Sequence, residues 1–161
     1  MNRLKIAIIL IAVGVTGLFA VNLYSPSYRY TISSTVSSSD FHSNGERIYF
    51  TATSNSGKPI ISSIGTMTMR GGMMSCAACH GADGKGGRGR MMMWTFNASD
   101  IRYSSLTSGT EGEKPYTGEL IKRAITEGLD SEGKKLKPPM PVWQMSDNDL
   151  NDLLDYLKTL K

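Results

Sequence analysis

The two cysteines of this 161-residue chain, Cys76 and Cys79, stand three positions apart, and His80 follows the second directly. On a helix that spacing puts both sulfurs on one turn with the imidazole beside them. Two thiols and a ring nitrogen gathered inside MSCAACHGADGKGG (residues 74–87) oblige the rest of the chain to fold around whatever they hold.

Three chemistries use this arrangement. A redox dithiol needs the Cys-x-x-Cys at the end of a strand in a βαβ unit, and no alternating strand pattern leads into this one. A structural zinc site needs about four protein ligands, and the other histidine of the chain, His42, lies in a polar, serine-rich stretch. Covalent haem attachment needs what is present, because each thiol can add to one vinyl group of a porphyrin while the next residue's imidazole lies under the iron. The expected cofactor is therefore one haem c, held by Cys76 and Cys79, with His80 as an axial ligand.

The second axial position draws attention to ten methionines. Met140 lies in KPPMPVW, where the flanking prolines lack N–H donors and fix the backbone of a loop between two amphipathic segments. It is the expected sixth ligand, with Met145, the run Met91 to Met93, and His42 as rivals. An iron held by His80 and Met140 leaves no place for substrate or O₂, which makes the chain an electron carrier rather than an enzyme; a thioether ligand also raises the potential. A five-coordinate haem sensor or enzyme is the contrasting reading. The other methionines near the motif, Met67, Met69, Met73 and Met74, are open to two accounts, Cu(I) ligation by soft thioethers or adaptable packing.

The N-terminus has Arg3 and Lys5 ahead of an apolar run from Ile6 to about Tyr24. That run is close to the ~20 residues needed to cross a bilayer and has no A-x-A cleavage pattern, so residues 1–24 read as a membrane anchor, with a signal peptide as the alternative. The positive flank stays in the cytoplasm and the body is exported. Residues 25–42, SPSYRYTISSTVSSSDFH, read as a serine-rich tether. The net charge of +4 is scattered along the chain and gives no basic stripe for nucleic acid.

Residues 43–161 form the expected domain. Ser43 and Glu46 make a capping box ahead of Ile48, Tyr49 and Ala52. Thr117 caps a helix with Leu120, Ile121, Ala124 and Ile125 on one face and Gly128 as its stop, and Ser146 caps one with Leu150, Leu153, Leu154 and Leu157. No segment alternates convincingly, so the fold class is all-α, with three to five helices around one haem and long loops rich in Gly, Pro and Met.

From Ser43 to Lys161 the chain resembles the class I monohaem c-type cytochromes of bacterial energy metabolism. GERIY, CAACHG with DGKGG behind it, YTGELIKRAITEGLDSEGKKLKPPMP and MSDNDLNDLLDYLKTL carry the likeness. The resemblance implies crossed first and last helices, with Gly45 and Tyr49 against Leu153 and Tyr156. It also implies a carrier working between membrane redox complexes, or the cytochrome subunit of an oxidase, reductase or dehydrogenase. Two features depart from the family. Twenty-six residues separate Tyr49 from Cys76, so residues 51–75 read as a Met/Gly-rich insertion. The family commonly has a proline soon after the motif whose carbonyl accepts from the ligand histidine, and no proline lies between Gly81 and Lys114, which leaves the acceptor for His80 without a candidate.

Overall fold

A computed structural model of the protein describes residues 40–91, 94–109 and 114–161. All belong to the second of the two units into which the chain divides, Thr35–Lys161. Their order is α1 (Asn44–Thr51), β1 (Ile61–Ile64), β2 (Met67–Arg70), α2 (Cys76–His80), β3 (Gly87–Met91), β4 (Trp94–Ala98), α3 (Tyr103–Ser108), α4 (Gly118–Glu127), β5 (Val142–Gln144) and α5 (Asp147–Thr159).

The capping signals act where local chemistry puts them. Ser43, Thr117 and Ser146 accept from the backbone N–H of Glu46, Leu120 and Asp149 at 3.0, 3.3 and 3.2 Å, satisfying donors that a helix start leaves free. Gly128 ends α4 in the left-handed region at φ 68°. Helices α1 and α5 cross at Gly45, where a Cβ would lie 1.9 Å from the Asp152 carbonyl oxygen, so only glycine lets the two backbones approach. One turn on, the Tyr49 ring sits 5.2 Å from that of Tyr156. Ile48, Tyr49, Leu153 and Leu157 are buried beside this crossing and join one core with Ile121, Ile125 and Trp143.

The all-α expectation is corrected by five strands that accompany the five helices among the described residues. Within residues 51–75, the expected insertion, lies the β1–β2 hairpin, and β1 also pairs with β5, giving an antiparallel sheet ordered β2-β1-β5. Ser62 faces Met69 on one side and Trp143 on the other. This row is 1, 7 and 4 % exposed, respectively. Ile60 just before β1, then Ser62 and Ile64 within it, face the core, so the period of two exists, but its centre is a small polar residue because Met69 and Trp143 fill the space beside it. A serine at the buried centre hides the pattern. The second sheet pairs β3 with β4. In it Gly89 leaves room for Phe96, whose ring would lie 2.5 Å from a Cβ at that position, and this cross-strand fit overrides the poor strand propensity of Gly-Arg-Gly-Arg.

The expected anchor, residues 1–24, lies outside the described residues. Among the described residues no helix is long and apolar enough to cross a membrane. At the end of the expected tether, Phe41 stacks on Phe50 with ring centroids 6.4 Å apart, and the Arg47 guanidinium lies over the Phe41 ring at 5.8 Å.

A polar knot ties the start of α1 to the start of α5. Asn44 donates to Asp149 at 3.0 Å and to Asp152 at 2.7 Å, while Ser54 and Ser146 donate to Asp149 at 2.8 and 2.7 Å. Burial pushes the Asp149 carboxyl up, but hydrogen bonds from Asn44, Ser146 and Ser54 outweigh it and hold the group below the usual carboxylate range.

Two outcomes follow for stability. Gly45→Ala should cost about 3 kcal/mol, the upper end of ordinary overpacking, read as a lower urea midpoint. Because the Asp149 carboxyl titrates lower when folded, its contribution is full above the ordinary carboxylate pKa and is lost as pH falls through the folded value. The stability gap between wild type and Asp149→Asn should therefore be widest at neutral pH and close below about pH 4, in urea melts repeated across pH.

Candidate haem site

Helix α2 is a single turn carrying the whole motif. Ser75 caps it by accepting from the Ala78 N–H at 3.3 Å, and the Gly81 N–H closes it onto the Ala77 carbonyl at 3.0 Å. Cys76 and Cys79 are half-buried free thiols, while Ala77 and His80 are buried. Burial pushes the Cys76 thiol up to about 12 and Cys79 upward as well. Burial therefore favours the neutral thiol at both positions.

His80 is 8 % exposed. Burial lowers its pKa against the opposing effect of a hydrogen bond to Ser99, so the ring is held toward the neutral form. Its Nδ1 lies 2.8 Å from the Ser99 carbonyl oxygen. A carbonyl can only accept, so Nδ1 must carry the hydrogen, and Nε2 keeps a lone pair free to bind a metal. This is the acceptor for which the sequence offered no proline.

The loop after the motif delivers it. The Gly86 N–H donates to the His80 carbonyl at 2.9 Å and the Ile101 N–H to the Gly84 carbonyl at 2.8 Å, folding the β3–β4 hairpin back over the histidine. Gly86 has φ 74°, and a Cβ there would lie 2.1 Å from the Ala98 carbonyl oxygen and 2.6 Å from that of Ser99. The glycine makes room for the carbonyl that orients His80. Beyond it, Asp100 is fixed by Arg102, whose Nε lies 3.0 Å from each carboxylate oxygen, and by the Ser105 hydroxyl at 2.9 Å. The hydrogen bonds from Arg102 hold the Asp100 carboxyl down to about 2. From the other side the Tyr49 hydroxyl donates to the Gly81 carbonyl at 2.6 Å, clamping the motif's exit to α1.

Met140 lies in the loop between α4 and β5, half-buried against the same core that Cys76 borders. Pro139 and Pro141 beside it are buried, and the Met140 N–H donates to the Lys137 carbonyl at 3.3 Å. Its rival Met145 is half-buried against that core too. His42 is elsewhere, with its side chain 95 % exposed and 3.8 Å from Glu46. Met92, Met93 and the side chain of Met91 fall outside the described residues. Met69 and Met74 are core residues, whereas Met67 and Met73 are 46 and 71 % exposed.

Two neutral thiols on one turn with an imidazole whose Nε2 is uncommitted, beside a core with a half-exposed apolar margin, form a donor set that fits a covalently held haem. Sequence reasoning missed Ser99 and Gly86; the only local trace of them is the glycine cluster GKGG. Gly86→Ala should push the Ser99 carbonyl away and expose the His80 Nδ1 hydrogen. In NMR of the whole chain that hydrogen should exchange with solvent at least about tenfold faster than in wild type, since its protection comes from this bond. Unchanged exchange would mean that the carbonyl does not depend on Gly86.

Residues 70–161 match the family model described as Cytochrome c. No curated protein and no solved structure gives a match. The matched segment is more than half of the chain and contains the Cys-x-x-Cys-His turn, the oriented histidine and the Met140 loop, so the chain belongs to the cytochrome c family, whose domain binds covalent haem c.

Proposed function

We propose that this protein is a membrane-tethered, exported electron carrier of the class I type, with one haem c joined to Cys76 and Cys79 and ligated by His80 and Met140. Haem-binding electron transfer is the family's chemistry; the ligand set, tether and partners are the further step. The observation that carries the reading is the geometry of His80, held by Ser99 at 2.8 Å through Nδ1 on the same turn as both thiols. Bound there, the cofactor supplies a one-electron ferric/ferrous couple.

The chain's own residues do the rest. Thioether links at Cys76 and Cys79 keep the cofactor from escaping in an exported compartment. The Ser99 carbonyl raises the basicity of the His80 ring and fixes its plane. The Met140 sulfur would hold the iron position that His80 leaves, which would close the iron to substrate and suit it to electron transfer alone. The apolar run 6–24 holds the domain at the extracytoplasmic face of the cytoplasmic membrane, where respiratory complexes are the donors and acceptors.

Met140→Ala tests the assignment. The loss of the sixth ligand should turn the spectrum partly high-spin, abolish the weak far-red sulfur-to-iron band of the oxidised protein, lower the reduction potential and let CO bind the reduced form. Met145→Ala should do none of these. A wild-type protein that is already five-coordinate and binds CO would move the function from carrier to sensor or catalyst.

A further inference from the structure

The insertion between α1 and the motif is joined to the loop that carries Met140. Its ends close on the C-terminus of α1. The Ile60 N–H donates to the Ala52 carbonyl at 3.0 Å and the Gly72 N–H to the Thr51 carbonyl at 3.1 Å. Gly71 packs so tightly there that a Cβ would lie 2.1 Å from the Ala52 carbonyl oxygen. Between these ends, β1 pairs antiparallel with β5, matching Ser63 to Val142, Ser62 to Trp143 and Ile61 to Gln144. Val142 is the second residue after Met140 in the sequence. The C-terminal side of the Met140 loop is thus a strand of a sheet whose other two strands belong to the insertion.

Packing fixes the register of that attachment. Trp143 and Met69 are buried on either side of Ser62, itself 1 % exposed. A one-residue slip would turn Trp143 to solvent, so the pairing has one strongly preferred alignment. A strand of three residues such as β5 would be marginal alone. Its position depends on the hairpin beside it.

We propose that the β1–β2 insertion is a positioning brace for the Met140 loop, with Ser62 as the residue whose small size lets Trp143 seat against it. This rests on Met140 being the axial ligand. The bond between a thioether and haem iron competes with any external ligand, and the competitor gains access only when the loop lifts away. Its apparent affinity then scales with the fraction of molecules whose loop is open. By holding β5, the brace keeps that fraction small, without touching the iron.

The test uses the haem-loaded full chain and imidazole as competitor, titrated against the oxidised protein at one pH while the far-red band and reduction potential are followed. Ser62→Leu, which overfills the Met69–Trp143 row, should raise the imidazole affinity about tenfold or more, weaken the far-red band and lower the potential. Ser62→Ala, which keeps the volume small, should behave as wild type. If Ser62→Leu does not fold, Gly65→Ala serves instead. It has open space for a methyl but a backbone at φ 58°, so it loosens the hairpin turn without entering the core, and it should raise the affinity in the same direction. Ser43→Ala, which removes the α1 cap, should lower the melting temperature and leave imidazole affinity unchanged. An affinity within about twofold of wild type in Ser62→Leu, or in Gly65→Ala where Ser62→Leu does not fold, would overturn the brace. Equal increases in Ser43→Ala would also overturn it, showing only general loosening. A wild-type protein without the far-red band would instead refute the Met140 assignment itself.

Discussion

The approach of α1 to α5 at Gly45 is the contact on which the rest of the domain depends. A backbone separation that leaves no space for a methyl group puts Tyr49, one turn later, against Tyr156 and within reach of Gly81. The C-terminus of the same helix supplies the carbonyls that close the insertion. One eight-residue helix therefore touches the terminal helix, the exit of the cysteine motif and both ends of the hairpin. A shift of α1 would be transmitted to each of these, because closely packed elements move together rather than yielding separately.

The chemistry of the site is set by a second interaction of a different kind. A histidine that is to bind iron through Nε2 must be held by its other nitrogen, or the ring turns and the tautomer is undefined. Here the hold comes from a main-chain carbonyl at the end of a glycine-rich hairpin, with Gly86 yielding the space and Asp100 fixing the turn that follows. No side chain of special chemistry is needed at Ser99, since the acceptor is backbone. That choice frees the sequence at the position and leaves the constraint on the glycine opposite.

Residues 51–75 show how the chain between α1 and the motif is drawn into the fold. Residues between α1 and the motif form strands instead of a loose loop: their ends lie close together on Thr51 and Ala52, and a hairpin closes that path with its backbone groups paired. Pairing with β5 then satisfies one edge of the hairpin and gives a three-residue segment of the Met140 loop a defined partner. The apolar demand of that sheet is met by Met69 and Trp143 on either side of a serine.

What the sequence alone determined was local. The caps at Ser43, Thr117 and Ser146, the stop at Gly128, the leucine face of α5 and the Cys-x-x-Cys-His turn are each written within a few residues, because helix ends and helical faces are decided by neighbours in the chain. The motif also carried the cofactor, since two thiols and an imidazole on one turn have few other uses. What only the tertiary structure decided were pairings across distance. His80 and Ser99 are nineteen residues apart, and β1 meets β5 across most of the domain. A buried serine, a strand of alternating glycine and arginine, and a three-residue strand after a proline loop all lack the propensity that marks a strand. They became strands because of what each faces, and that depends on chain folding elsewhere. The all-α reading failed for this reason, and the carbonyl that orients His80 stayed hidden because a backbone acceptor leaves no mark on the identity of its residue.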